Sequence, residues 1–201
     1  MRIPPFPLRI PSASAAALLA LCALAGCAGG KGEPRSAQEA PRHPAAQPTV
    51  ERTLLYPGAE ETLLTALPVQ MPATNEEQRD MAALVQRYFD GPVGEGQVQP
   101  FMEHSALRSL YVLDGGEVVL DLTGPVRSGG GSDTETARVY GLVDTLAVNF
   151  PSVRSVRILV DGQEVETLLG HLDLSRPIPP EPRMLAEPLR ARLKGGSDAG
   201  L

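Results

Sequence analysis

Apolar residues recur along this chain in two different periods, and the switches between them mark out the elements. Over residues 74–92 the period is helical: Met81, Leu84, Val85, Tyr88 and Phe89 fall at i, i+3, i+4, i+7 and i+8. Thr74 with Glu77 reads as a capping box at the start, and Gly91-Pro92 is a stop signal. A second helix is predicted over residues 133–149, where Val139, Val143, Leu146, Ala147 and Phe150 share a face and Pro151 closes the run. Between the helices the period drops to two. Residues 107–126 read as a hairpin around Asp114-Gly115-Gly116, with Val118, Leu120 and Leu122 on one face and Val119 and Asp121 on the other. Val156, Ile158 and Val160 alternate with Arg157 and Leu159 until Asp161-Gly162 turns the chain. At the front, residues 53–56 form a short apolar run that turns at Pro57-Gly58, and residues 62–71 form a second candidate strand weakened by Pro68. The order strand, helix, hairpin, helix, strand predicts an α+β domain: a small mixed sheet with two helices packed on one face.

Before residue 53 the texture is different. Arg2 and Arg9 flank the start of a short apolar stretch, residues 10–26, that ends in small residues, the layout of a secretory signal too short to span a bilayer comfortably. Its end, Leu24-Ala25-Gly26-Cys27, resembles the bacterial lipobox, at which a diacylglyceryl group is attached to the cysteine before cleavage. Cys27 is therefore expected to be residue one of the mature protein and its lipidation site; the alternative is an ordinary secreted protein cut near Gly26. Cys22 lies in the discarded signal, so a chain lipidated at Cys27 keeps no thiol for a disulfide, a nucleophile or a zinc site. Two or more acyl chains would make the anchor durable where one is marginal.

Residues 28–50 carry almost no large apolar side chain and cannot bury enough surface to offset their chain entropy, so a disordered tether is expected, with a stretched reach of roughly 70 Å. The resulting layout is a signal peptide over 1–26, the lipidated cysteine and a Pro/Ala-rich tether over 27–52, the folded domain over 53–178, and a Pro-rich, largely disordered tail over 179–201. Within that tail Met184, Leu185, Leu189 and Leu193 leave open a short helix that folds on a partner.

Charge and composition narrow the partners. The formal net charge of −6 becomes −8 once Arg2 and Arg9 leave with the signal, and there is no run of Lys or Arg, so no nucleic-acid partner is expected. Four Phe, four Tyr and no Trp provide little for base or sugar stacking. With the membrane reached through lipid on Cys27, the acidic body has no need of a polybasic patch. Ala28 follows the cysteine where Asp is the residue usual for inner-membrane retention, so the periplasmic face of the outer membrane is favoured if the host is Gram-negative.

Several motifs in order resemble the GerMN domain of spore germination proteins and bacterial envelope lipoproteins. They are Tyr56 at the end of the first strand, Asp90-Gly91-Pro92 after the first helix, VVLDLTGP at 118–125, and YGLVDTLAVNFPSVRSVRILVDGQEVETLLGHLDLSRP at 140–177. The resemblance covers residues 53–178. It implies an α+β fold related to the ring-building domains of sporulation channels, and it carries no catalytic residue over to this chain.

Candidate chemistry concentrates in one stretch, where His171 and Asp173 could pair as base and orienter with Ser175 as nucleophile. Residues i and i+2 of an extended segment leave no independent oxyanion site, however, and Leu172 and Leu174 between them are packing residues, so a hairpin and closing turn is the expected role. His104 beside Glu103 reads as a solvated loop, and His43 lies in the tether. The spacing holds no metal or cofactor motif. The glycine stretch 127–135 lacks the Lys-Ser/Thr of a phosphate loop and places Asp133 and Glu135 where a phosphate would sit, so Ser132 with Glu135 reads as a capping box. The function that follows is a non-catalytic envelope lipoprotein whose GerMN-like domain binds an envelope protein or self-associates. The alternatives are binding of peptidoglycan or a small ligand, and a cell-wall hydrolase or its accessory.

Overall fold

The computed structural model describes residues 48–59, 63–93, 96–187 and 189–190, all within one compact unit, Pro44–Leu201. Cys27, His43 and most of the expected tether lie outside the described residues. Strand β1 (Thr49–Pro57) opens the fold, so residues 49–52, expected in the tether, belong to the domain. β1 runs antiparallel to β2 (Leu64–Pro72), with Thr53 opposite Pro68 and Leu55 opposite Ala66. Helix α1 (Glu77–Phe89) follows, then β3 (Ala106–Val112), β4 (Glu117–Thr123), helix α2 (Ser132–Asn149), β5 (Ser155–Val160) and the two-residue β6 (Gln163–Glu164).

The α+β class is the one observed, and the strands divide between two sheets. β1 and β2 form one, and the other has the order β3-β4-β5-β6, mixed because β4 and β5 are parallel across the α2 crossover. Val118, Leu120 and Leu122 of β4 and Val156, Ile158 and Val160 of β5 lie on one face, in one core with α1 (Met81, Leu84, Val85, Tyr88) and α2 (Val139, Leu142, Val143, Leu146). The helices meet where Tyr88 lies against Gly141. A Cβ there would come within 2.2 Å of the Tyr88 hydroxyl, so the close approach requires glycine.

The hairpin at Asp161-Gly162 forms as the sequence suggests: both residues have positive φ, and Val160 pairs with Gln163 across the turn. The expected capping box of α1 does not form. Thr74 instead donates its hydroxyl to Asp80 Oδ1 at 2.7 Å and accepts from the Glu76 N–H, while Glu77 takes a hydrogen bond from Ser152. The first part of the expected disordered tail is also packed. Ile178, the last residue of the expected domain, exchanges two backbone hydrogen bonds with Val156, and in the tail Leu185 and Leu189 are buried beside Leu55 and Leu64. Their apolar side chains find a ready trough there, and that contact offsets the ordering of a proline-rich segment.

The alternation along β5 makes a direct test. Ile158 is 2% exposed, so Ile158→Asp should unfold the domain, because an unpaired buried carboxylate costs several kcal/mol against a total of about 5–15 kcal/mol. Arg157 lies on the other face and pairs with Glu117 at 2.8 Å, so Arg157→Asp should cost no more than about 1 kcal/mol. Urea unfolding followed by circular dichroism separates the two; equal losses would mean the faces are misassigned.

Candidate functional site

The segment after β6 is where candidate acid, base and nucleophile lie closest in sequence, and its geometry is organised by a residue 33 or more positions away. Glu135, in the first turn of α2, is fully buried, and its carboxylate accepts four backbone N–H groups. Leu168 and Leu169 donate to Oε1, both at 2.8 Å, and His171 and Leu172 donate to Oε2 at 2.7 and 3.2 Å. Burial raises the carboxyl's proton affinity, but the four N–H bonds more than reverse this and hold it below its ordinary 4.5. The loop therefore wraps an internal anion, and its donors are spent on it. The expected capping box of Ser132 and Glu135 does not form; α2 begins at Gly131 without a side-chain cap.

This arrangement disposes of each candidate in turn. His171 contributes its backbone N–H to Glu135, and the residue is exposed. Asp173 Oδ1 accepts from the Ser175 N–H at 2.9 Å and from its hydroxyl at 2.6 Å, a local turn that holds the carboxyl below its usual range. Ser175 thus donates to Asp173, and the base-orienter-nucleophile relay is not assembled. Around the loop lies an open cleft of about 440 Å³ lined by Glu166, Thr167, Gly170, His171, Leu172 and Asp173. His104 is exposed, on a turn with φ 68°. Among the described residues no three His, Cys, Asp or Glu side chains are grouped to hold a metal ion.

The residues that organise this region were not visible in the sequence pattern. Arg138, one turn after Glu135, is also buried and donates to three carbonyls: Pro100 at 2.7 Å, Val126 at 3.1 Å and Ser128 at 2.8 Å. Further along, Leu55 N–H donates to Thr145 Oγ1 at 3.0 Å, Thr53 N–H donates to Asn149 Oδ1 at 2.8 Å, and Asn149 Nδ2 returns a bond to Thr53 O at 2.7 Å. Helix α2 thereby closes the outer edge of β1. The available signal was compositional: α2 is apolar on more than one side, so its charged residues had little surface to occupy.

The clamp predicts a large asymmetry between neighbours. Glu135→Gln sets an amide donor against backbone donors and should cost about 3 kcal/mol, whereas His171→Ala should cost under about 1 kcal/mol. Because the folded carboxyl is held below 4.5, its contribution is present above that pH and fades as pH falls through the folded value. The Gln variant should lose that part of the acid dependence. Denaturant titrations of both variants between pH 3 and 7 measure it, and a His171→Ala loss as large as that of Glu135→Gln would refute the clamp.

The fold compares directly with known proteins. The first GerMN domain of the sporulation protein GerM from Bacillus subtilis superposes with a TM-score of 0.52 at 18% identity, over 65% of this chain and 97% of that one. The tandem GerMN domains of the same protein match with a TM-score of 0.49 at 24% identity, over 71% of this chain and 50% of the tandem pair. A candidate lipoprotein from Clostridium perfringens matches with a TM-score of 0.46 at 20% identity, over 65% of this chain and 87% of that one. No curated protein sequence matches significantly. The family model Germane, described as sporulation and spore germination, matches residues 53–166, from β1 to just short of the closing loop, and the chain belongs to this GerMN-domain family.

Proposed function

We propose that this protein is a lipid-anchored envelope lipoprotein whose GerMN domain is a non-catalytic binding module for an extended segment of an envelope protein. The observation that carries the reading is the state of the sheet edges. β1 is closed by Thr145 and Asn149 of α2, β2 carries Pro68 and Pro72 and is met by the Ala186 N–H at Leu64 O, and β6 has only two residues. Among the described residues β3 is the long edge left. Leu113 N–H bonds inward to Glu117 O, so by alternation Leu110 and Val112 turn their backbone groups outward, where the Val112 N–H meets only the tip of Gln78 at 3.3 Å. Tyr111, Val112 and Leu113 are 54%, 37% and 47% exposed in one row. An apolar, unpaired strand edge is what a partner strand needs, backbone bonds supplying affinity and alternate side chains selectivity.

Anchoring is the second part of the proposal. The Leu24-Ala25-Gly26-Cys27 motif supports attachment through lipid at Cys27, with the tether giving the domain reach and the outer membrane its site in a Gram-negative host. Catalysis finds no support in the His171, Asp173 and Ser175 geometry, and the open cleft beside it offers no enclosed polar pocket of the kind small ligands use.

Both parts are testable in one background. Tyr111→Glu with Leu113→Glu should change the unfolding free energy by no more than about 1 kcal/mol and abolish crosslinking to the envelope partner, while His171→Ala leaves it intact. Retained crosslinking in the double variant would remove β3 as the binding edge. Cys27→Ser should shift the protein out of the membrane fraction or leave it held by an uncut signal; normal processing and retention would refute lipid anchoring.

A further inference from the structure

Helix α2 has a third covered side. Tyr140 and Val148 pack with Leu55 of β1 and Leu64 of β2 into a small apolar trough, and Leu185 and Leu189 of the chain's last described segment fill it. Residues one helical turn apart share a face, so Asp144, midway between Tyr140 and Val148, sits in the middle of that side. It is fully buried. Oδ1 accepts the Glu181 N–H at 2.9 Å, and Oδ2 has no hydrogen-bond partner among the described residues. The segment that covers it, described over residues 179–187 and 189–190, lies beyond the matched family region. Ile178 pins it to β5, and past that residue it is held by Glu181 on Asp144, by Ala186 N–H on Leu64 O at 3.1 Å, and by the two leucines.

We propose that residues 179–190 form an acid-held strap: with Asp144 neutral the strap closes the Leu55–Leu64 trough, and with Asp144 ionised it lets go.

The charged surroundings explain why ionisation is not tolerated in the closed form. From the strap, Glu181 stands nearest and remains ionised, because its bidentate contact with Arg183, 2.6 Å at the closest pair, lowers its carboxyl to about 2. Arg183 is thus committed to Glu181, and its side chain is 86% exposed. Arg190 is turned to the strap's own carbonyls of Pro182 and Leu185 and to Glu187. From α2 itself the neighbour is Tyr140, whose phenol is pushed above 10 by burial and then by Glu181 and Asp144. β1 and β2 present Leu55 and Leu64. An ionised Asp144 would hold its second oxygen buried beside a second carboxylate, and among the described residues the strap's own cations, Arg183 and Arg190, are turned elsewhere. Burial accordingly lifts the carboxyl from 3.8 up to about 8, the Glu181 N–H opposing the rise and the Glu181 charge adding to it.

The direction of the switch follows from where the proton is bound. With the strap closed Asp144 keeps its proton up to about pH 8, and with the strap open and water admitted it returns toward 3.8. Closure is at full strength below the lower value, weakens by at most about tenfold per pH unit between the two, and levels off above the upper. Across the neutral range the strap therefore loosens with each step toward alkaline pH, exposing the trough while the core and the Glu135 clamp stay formed.

Hydrogen exchange of the mature lipidated protein in detergent, from pH 5 to 9 with labelling times scaled to intrinsic rates, tests this. Protection of residues 179–190 should fall by up to about tenfold per unit toward pH 8 and then level, while the 168–172 amides keep theirs. Asp144→Asn, neutral at every pH and able to accept the Glu181 N–H, should hold the strap closed through pH 9. A flat wild-type profile, or an Asp144→Asn profile that tracks the wild type, overturns the proposal. Should the Asn variant fail to fold, the wild type alone decides: strap and 168–172 amides losing protection together would mean global loosening and no switch.

Discussion

Everything irregular in this fold depends on one constraint: a backbone N–H or carbonyl shut away from water must find a partner, and here helix α2 supplies partners from its side chains. Glu135 takes four N–H groups of the closing loop, Arg138 gives to three carbonyls in two separate loops, Asp144 takes the Glu181 N–H, and Thr145 and Asn149 complete the outer edge of β1. Each of these residues is costly to bury alone. Satisfied, they convert a helix that would otherwise only pack into the element that sets where five other segments run.

The same bonds account for the division into two sheets. A strand with a free edge can pair with another strand, and β1 lies close enough to α2 for the helix side chains to occupy that edge. With Thr53 and the Leu55 N–H bonded to Asn149 and Thr145, the helix takes up that edge and β1 pairs only with β2 among the named strands. Proline at 68 and 72 and the crossing of Ala186 at Leu64 blunt the other side of the ribbon. The fold thus closes its edges one by one with side chains, prolines and a strap, and β3 stands out because its Tyr111–Leu113 end keeps exposed apolar side chains and, among the described residues, is met only by the tip of Gln78.

What could be read from the sequence was what repeats locally. The alternation of Val118, Leu120 and Leu122 and of Val156, Ile158 and Val160, the helical stripe from Met81 to Tyr88, and the Asp161-Gly162 turn each depend on neighbours within a few residues, and all stand in the structure. The errors share a different cause. Ser132 with Glu135 and Thr74 with Glu77 both carry the spacing of a capping box, but a carboxylate takes the best donors in reach, and for Glu135 those were four amides more than thirty residues away. Local spacing could not reveal that competition. The packing of the tail's first part was hidden for the same reason: Leu185 and Leu189 are too few to fold alone, and the trough that receives them is assembled from β1, β2 and α2.

Two carboxylic acids on one helix, nine residues apart and both fully buried, end in opposite states because of how many donors meet them. Four N–H groups around Glu135 outweigh the loss of water and keep it ionised below 4.5, so the closing loop is held across the whole physiological range. One N–H at Asp144, set against a neighbouring carboxylate and an empty second oxygen, does not, and the carboxyl keeps its proton to about pH 8. Burial alone therefore does not say whether an acid is a fixed strut or a switch; the number of N–H groups that meet it does. On that count the closing loop is permanent architecture, and the C-terminal strap is the part of the molecule whose closure remains conditional.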